Sequence, residues 1–186
     1  YSYDEHGNRI EVSYLNSSDE RLYWMRYNYQ GITHPGRLWK EINPDEAYKE
    51  YTYDASGNII TVKDPSGKTT LYGYDIFNRL TTVAGPGNVS TSYTYDRQNN
   101  LTTVRDAENR TTSYAYDDLG RLISNISPDS GTTAYVYDAS GNLTAKTEAN
   151  GRTVTYTYDA LNRLTGTHFP DSAQNITCTY DDGADG

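Results

Sequence analysis

The sequence has few of the residues on which disulfide-bonded, metal-binding and membrane proteins depend. Its 186 residues include one cysteine, one methionine and three histidines. The single Cys178 excludes an intramolecular disulfide and any metal site built from several cysteines. No run of about 18 apolar residues occurs, so no segment is expected to span a membrane. The net charge of −9 argues against a nucleic-acid partner, because an acidic surface repels the phosphate backbone.

Aliphatic side chains are also few, and tyrosine takes their place. Only 35% of the residues are apolar, yet 20 residues are tyrosines. A tyrosine ring can be buried when its hydroxyl finds a hydrogen-bond partner. Tyrosine and threonine also favour strands. We therefore expect a tyrosine-rich sheet face where most domains have an aliphatic core.

The tyrosines recur with a period of 21 residues. The string Tyr-x-Tyr-Asp begins at Tyr51, Tyr72, Tyr93, Tyr114, Tyr135 and Tyr156. Irregular copies begin at Tyr1 and Tyr27, and a last copy ends in Tyr180-Asp181. Self-similarity at a fixed period indicates a repeat architecture, in which each unit packs on its neighbours.

Each copy of the motif continues with residues typical of a hairpin turn. Three residues after the motif Asp stands Gly or Asn in every regular unit: Gly57, Asn78, Asn99, Gly120, Gly141 and Asn162. These two residue types accept positive φ most readily, and Asp can bond the backbone amides that follow it. The pattern predicts a type I turn with a bulge, a short Thr-rich strand and a second turn in each unit. The expected fold is an all-β antiparallel meander of about sixteen short strands.

We expect a single repeat array over residues 1–186. Residues 1–50 hold irregular repeats with insertions, 51–170 hold regular repeats, and 171–186 hold a partial terminal repeat. In the irregular part the first loop swells to residues 31–36, and in the last repeat Cys178 replaces the first motif tyrosine. The chain begins in mid-repeat and without Met, so we expect a piece of a longer protein.

These strings resemble the YD-repeat, or Rhs-repeat, family. The resemblance covers nearly the whole chain and rests on strings such as Tyr-Thr-Tyr-Asp-Ala-Ser-Gly-Asn at 51–58. It implies a curved or spiralling strip that forms part of a hollow β-shell. In Rhs effectors and insecticidal toxin complexes such shells enclose a C-terminal toxin, and in teneurins a similar shell serves cell adhesion.

The resemblance therefore implies a structural segment of a secreted or cell-surface protein. Its role would be to encapsulate or display a toxin or other cargo domain. Further YD repeats, or the C-terminal cargo domain, of the same polypeptide would be its partners. The family's autoproteolytic segment is not matched, so no protease residue is inferred.

A carbohydrate-binding or adhesion module is the alternative function. Tyr23, Trp24 and Trp39 cluster in the irregular repeats, and aromatic rings of this kind can stack on sugars. Glycans would then be partners. The same rings can equally cap or widen the sheet where the repeat is broken.

No pattern in the chain indicates catalysis, a metal or a cofactor, so we predict that it is not an enzyme. The motif aspartates match neither the calcium-binding glycine-rich repeat nor an EF-hand loop, and are expected to form turns. His6, His34 and His168 stand in unlike contexts, without a nucleophile elbow or a His-Glu-x-x-His string.

The first turn of each repeat, the one at the motif Asp, shows a longer period of about 42 residues. The residue after the turn Gly or Asn alternates between Asn and Arg: Asn8, Arg37, Asn58, Arg79, Asn100, Arg121, Asn142 and Arg163. First turns of a meander lie along one edge, about 10 Å apart. We expect each Arg to lie between neighbouring motif carboxylates and to offset their repulsion. The apolar tip residues Phe77, Leu119 and Leu161 are expected to cover the adjacent tip.

Overall fold

The computed structural model describes residues 1–15, 17–18, 21–30, 37–87 and 89–180, and for 14–15, 21–23 and 30 it describes the backbone only. The swollen loop at residues 31–36, which contains His34, lies outside the described residues. So does Asp181, the last motif aspartate. The chain divides into two compact units, Tyr1–Ser92 and Tyr93–Gly186.

The described residues form seventeen strands and one short 3-10 helix. The first unit contains the strands β1 Ser2–Tyr3, β2 Arg9–Leu15, β3 Arg21–Gln30, β4 Arg37–Ile42, β5 Tyr48–Tyr53, β6 Ile59–Lys63, β7 Thr69–Tyr74 and β8 Leu80–Ala84. The boundary between the units falls within β9 Ser90–Tyr95. The second unit contains β10 Leu101–Arg105, β11 Thr111–Tyr116, β12 Leu122–Ser127, β13 Gly131–Tyr137, β14 Leu143–Thr147, β15 Thr153–Tyr158, β16 Leu164–His168 and β17 Ile176–Thr177.

Within each unit, every strand pairs antiparallel with the next strand along the chain. The first unit runs in this way from β1 to β9. The second unit runs from β10 to β17. The predicted antiparallel hairpin meander is confirmed.

A β-bulge lies beside the second tyrosine of the motif. Thr52 pairs with Thr61, whereas Tyr53 pairs with Ile59, so the partner strand holds one extra residue at this point. The same shift recurs next to Tyr137 and Tyr158. The two motif tyrosines stand two residues apart in one strand, so both rings project from the same sheet face.

The two faces of the hairpins differ in chemistry. On the tyrosine face, Tyr51 stands opposite Val62 and Tyr72 opposite Val83. On the other face threonines meet across the strands, as in the Thr147–Thr153 hydroxyl contact of 2.9 Å. Threonine and tyrosine thus stabilise the sheet through cross-strand pairs on opposite faces.

The tyrosine face is half buried, whereas we expected it to serve as a core. Among the described residues, Val12 is the one buried apolar side chain, at 9% exposed. Contacts between elements join strands that are adjacent in the chain, so each side chain is covered from the side by its neighbours. This is the packing expected of a repeat array, in which neighbouring units supply the contacts that a core supplies elsewhere.

The turn between β16 and β17, which is the second turn of its repeat, departs from the predicted pattern. Residues Ser172–Gln174 form a 3-10 helix, whose first turn is capped by Asp171 accepting from the N–H of Ala173 at 3.1 Å. The chain then returns to β16, because the N–H of Cys178 donates to the carbonyl of Thr165 at 2.9 Å. The extra residue in this repeat is therefore accommodated by a helical turn.

Candidate functional site

The motif Asp closes each first turn with its own carboxylate. In the turn at Asp54, Oδ1 accepts from the N–H of Asn58 at 2.9 Å, and the backbone carbonyl accepts from the N–H of Gly57 at 3.2 Å. Gly57 has φ 96°, which glycine tolerates and most residues avoid. The side-chain amide of Asn58 donates to the other carboxylate oxygen and lowers the pKa of Asp54. The predicted Asp-x-x-Gly turn is confirmed.

Arginine in alternate repeats links one first turn to the next. Arg121 donates from Nε to Oδ2 of Asp117 at 2.7 Å and from Nη1 to the carbonyl oxygen of Asp138 at 3.0 Å. Its guanidinium also lies over the ring of Tyr137, 4.8 Å from the centroid. We call these contacts to the following repeat the arginine link. Arg37 forms the same link, to the carbonyl of Asp54 at 2.9 Å and over the ring of Tyr53 at 5.7 Å.

The arginine link corrects the expected partner of these side chains. Arg37 and Arg121 do reach the following first turn, as predicted. Their contact there is a backbone carbonyl and a tyrosine ring, however, and the carboxylate that pairs with Arg121 belongs to its own repeat. The backbone N–H of Arg121 and then its guanidinium hold the pKa of Asp117 below its ordinary value. Sequence spacing could not reveal this choice, because it does not fix how two adjacent turns lie relative to each other in space.

Asparagine at the same position forms a second kind of link in two of the other repeats. Asn58 donates from Nδ2 to its own Asp54 and also to Oδ1 of Asn78 in the next turn, at 2.8 Å. Asn142 makes the same bond to Asn162 at 2.8 Å. We call this bond the asparagine link. Sequence reasoning recorded the alternation of Arg and Asn but missed this role of Asn.

The second motif tyrosine reaches back to the preceding repeat. The hydroxyl of Tyr137 donates to the carbonyl of Leu122 at 3.0 Å, and Tyr53 does the same to Leu38 at 2.8 Å. The bond is repeated by Tyr158 and Tyr180. Burial of the ring raises the pKa of Tyr53. A buried tyrosine hydroxyl normally needs such a partner, and in these four bonds the partner lies one repeat away.

The apolar tip residues do not cover their neighbours. Phe77, Leu119 and Leu161 are 68%, 76% and 72% exposed. The expectation that they shield the adjacent tip is therefore wrong. The N–H groups of Leu119 and Leu161 donate to the motif carboxylate, and the side chains project into solvent.

The aromatic cluster of the irregular repeats is covered by cations of this chain. Arg26 lies over the ring of Trp24 at 4.5 Å. Lys40 lies over Trp39 at 4.5 Å, and the indole N–H of Trp39 donates to Glu50 at 3.0 Å. Tyr23 lies in β3, opposite Tyr14, and its side chain is outside the described residues. A carbohydrate site at Tyr23, Trp24 and Trp39 stays a prediction, and each described ring already has a partner.

The described residues contain no group of three or more His, Cys, Asp or Glu side chains that could hold a metal ion. The N–H of His6 donates to Asp4 within a first turn, at 3.0 Å. His168 ends β16, beside Gly166. The part of the chain that the structure describes also has no helix long and apolar enough to cross a membrane.

Comparison with known families and structures agrees with this geometry. A family model described as Teneurin YD-shell matches residues 1–182. The crystal structure of TcdB2-TccC3-Cdc42 superposes with a TM-score of 0.72 at 15% identity, over 95% of this chain and 11% of that one. The Photorhabdus luminescens Tc holotoxin pore with a TccC3 mutation gives 0.59 at 19% identity, over 87% of this chain and 9% of that one.

A curated relative matches a shorter segment. The tRNA nuclease WapA of Bacillus subtilis strain 168 is 31% identical over 75 residues, which is 40% of this chain and 3% of that protein. The chain thus spans a small part of the relatives that it matches. At 15–19% identity, the likeness to the solved toxin structures shows a shared fold and nothing further.

Proposed function

Because this chain belongs to the teneurin YD-shell family, we propose that it forms part of the wall of a shell that encapsulates or displays a toxin or other cargo domain. The chain itself is a structural shell segment, built from YD repeats. The partners of this wall are further YD repeats and the C-terminal cargo domain of the same polypeptide. The protein is secreted or exposed at the cell surface.

The observation that carries this proposal is the use of the motif side chains between repeats. Asp, Arg and Tyr are common in active sites, but here Asp and Tyr recur in every regular repeat and the linking Arg recurs in every second one. Asp117 closes a turn, Arg121 holds the following turn, and Tyr137 donates to the preceding repeat. Side chains engaged in this way stabilise an extended wall, and we assign no catalytic role to the described residues.

Three of the relatives bear on the cargo. One solved structure is that of TcdB2-TccC3 without its hypervariable C-terminal region. The curated relatives are named as tRNA nucleases, but the match spans 3% of their length. We propose no nuclease activity for this segment, since its described motif residues serve the repeat.

Limited proteolysis of the complete gene product tests the wall function. The probe is thermolysin, and the readout is the cleavage rate of the polypeptide outside these repeats. The double variant Arg37→Ala with Arg121→Ala removes two arginine links and is expected to accelerate that cleavage. Arg110→Ala is the matched control, because Arg110 binds Asp106 and Glu108 of its own second turn and Asp129 of the next one, and these exposed ion pairs contribute little.

The control variant is expected to leave the cleavage rate unchanged. Both variants are compared by circular dichroism, so that loss of the whole fold is distinguished from a loosened wall. Equal cleavage in the wild-type protein and the double variant would overturn the proposal. A gene product without any domain beyond the repeats would overturn it as well.

A further inference from the structure

A cavity lies between two adjacent second turns of the second unit, the turn before β13 and the turn before β15. The two turns touch, because a Cβ at Gly131 would lie 2.6 Å from the Cβ of Ala149. The cavity has a volume of about 480 Å³ and is lined by Ser130, Thr133, Lys146, Glu148, Ala149 and Asn150. Its size is that of the sites in which proteins hold small organic ligands.

The floor of this cavity departs from the repeat. The residue opposite the first motif tyrosine is Val62 or Val83 in the first unit. In the second unit Lys146 stands opposite Tyr135 at the same position. The tyrosine face thus carries an ammonium group where the repeat elsewhere has an aliphatic side chain. In a chain whose fold dictates the same residues again and again, such a departure marks a position with a further role.

The turn before β13, which forms one wall of the cavity, departs as well. Ser130 stands at the position where the flanking second turns have Asn109 and Gly151 with positive φ. Here the positive φ falls one residue later, on Gly131 at 74°. Gly131 replaces the Arg of the flanking turns, and its missing side chain lets Ala149 approach. The wall is therefore built by a turn that differs from its neighbours on both sides.

The polar side chains of the walls offer hydrogen-bond donors to the cavity. Among the described residues, the hydroxyls of Ser130 and Thr133 bond to no other group of the chain. The side chain of Asn150 accepts from the N–H of Arg152 through Oδ1 at 2.9 Å, which leaves the two N–H groups of its Nδ2 for another partner. Donors in this number favour a ligand with several acceptor oxygens.

An ion pair inside the cavity shows which acceptor group fits beside the ammonium. Lys146 donates from Nζ to Oε1 of Glu148 at 3.1 Å, and this bond raises the pKa of Lys146, which keeps its charge. The two side chains are 35% and 45% exposed, and a pair this exposed contributes little to stability. The carboxylate of Glu148 can therefore turn towards solvent at small cost when another oxyanion takes its place.

We propose that this cavity binds a small organic ligand through an oxyanion, either a carboxylate or a phosphate. Lys146 supplies the positive charge, and the donors of the walls bond the remaining oxygens. The oxyanion fills a small part of the cavity, and the rest of the 480 Å³ holds a body about the size of a monosaccharide. The site uses none of the side chains that form the arginine and asparagine links, so its failure would leave the proposed function intact.

Isothermal titration calorimetry of the chain at low salt tests this assignment. The probes are glucose 6-phosphate and gluconate, with glucose as the neutral compound of similar size. The anions are expected to bind in roughly the millimolar range and to weaken as salt is added, whereas glucose should give no binding heat. Binding of one anion alone would support the proposal and identify the oxyanion as phosphate or carboxylate. Equal binding of glucose would overturn it.

Three variants locate the binding. Lys146→Val introduces the residue of Val62 and Val83, so the fold should persist in circular dichroism while affinity falls about tenfold or more, as on loss of one charged hydrogen bond. Glu148→Gln removes the competing carboxylate and should raise affinity by up to about fivefold, the strength of an exposed ion pair. Lys63→Met, at the exposed end of β6, is the matched control and should change nothing. Unchanged binding by Lys146→Val, or no binding of either anion to Glu148→Gln, would overturn the proposal.

Discussion

The hydrogen bond between Tyr51 and Glu41 predicts how the first unit responds to alkaline pH. The phenol of Tyr51 donates to Oε2 of Glu41 at 2.9 Å. Burial of the ring, then the bond to Glu41 and its negative charge, raise the pKa of Tyr51 from 10.0 to about 12. The folded state therefore keeps a proton that the unfolded chain loses. Its stabilising effect is complete below pH 10 and is lost as the pH rises from 10 to 12.

The size of this effect follows from the difference in pKa between the folded and unfolded states. A rise of about 2 would correspond to about 2.7 kcal/mol of the free energy of unfolding. Solvent reaches much of the half-buried ring and screens the interaction, which reduces the expected loss to about 1 kcal/mol. Burial also raises the pKa of Tyr29 and of Tyr53, so the first unit as a whole should weaken over the same range.

The measurement is urea unfolding between pH 8 and 12, followed by the emission wavelength of tryptophan. Both tryptophans of the chain, Trp24 and Trp39, lie in the first unit and report on it. Tyr51→Phe should lose less stability above pH 10 than the wild-type chain, by about 1 kcal/mol. Glu41→Gln keeps a hydrogen-bond acceptor without the charge, so its loss of stability above pH 10 should fall between those of the wild type and Tyr51→Phe. Equal slopes for the wild type and Tyr51→Phe would refute this account, because lysine deprotonation is common to both chains.

Three further predictions concern the second unit. Arg121→Ala should lower the melting temperature of the second unit by about 4–8 °C, whereas Arg110→Ala should change it little. The reason is that Arg121 is 27% exposed and Arg110 is 51% exposed. Equal shifts of the two variants in thermal melts would contradict the arginine link. Gly131→Ala should destabilise the second unit more than Gly141→Ala does. Both glycines have positive φ, but a Cβ at Gly131 would lie 2.6 Å from the Cβ of Ala149, whereas a Cβ at Gly141 would meet nothing. Similar unfolding midpoints of the two variants in urea would count against this contact. Leu119→Ser and Leu161→Ser should leave stability within about 0.5 kcal/mol of the wild type, since both tips project into solvent, and a larger loss in the same assay would restore a packing role.

Much of the fold was predictable because its signals are local. The Gly or Asn three residues after the motif Asp has positive φ wherever the regular repeats require it, from Gly57 to Asn162. A departure occurs at Glu46, which adopts φ 63° at a second turn where Gly or Asn is usual. The 3-10 helix at Ser172–Gln174 was missed, because one extra residue in a turn can be absorbed by a bulge or by a helical turn.

The candidate site was predicted less completely. The alternation of Arg and Asn was visible in the sequence, but the carbonyl of Asp138 as the partner of Arg121 was not. A backbone carbonyl leaves no mark on the sequence, so spacing favoured the carboxylate. The exposure of Leu119 was missed for a related reason, since an apolar residue in a turn does not show whether a neighbour is near enough to cover it.

The sequence by itself determined the hairpin, since each first turn is closed by bonds between residues at most four apart, such as Asn58 with Asp54. Only the tertiary structure decided how one hairpin meets the next. The links join residues 15 apart in Tyr137 and Leu122, 17 in Arg121 and Asp138, and 20 in Asn142 and Asn162. Each of these separations is the 21-residue period less the distance between the two positions within the motif. The period gives the unit, and the packing of one hairpin against the next gives each Arg, Asn and Tyr its partner, because a contact between hairpins depends on where neighbouring strands lie in space.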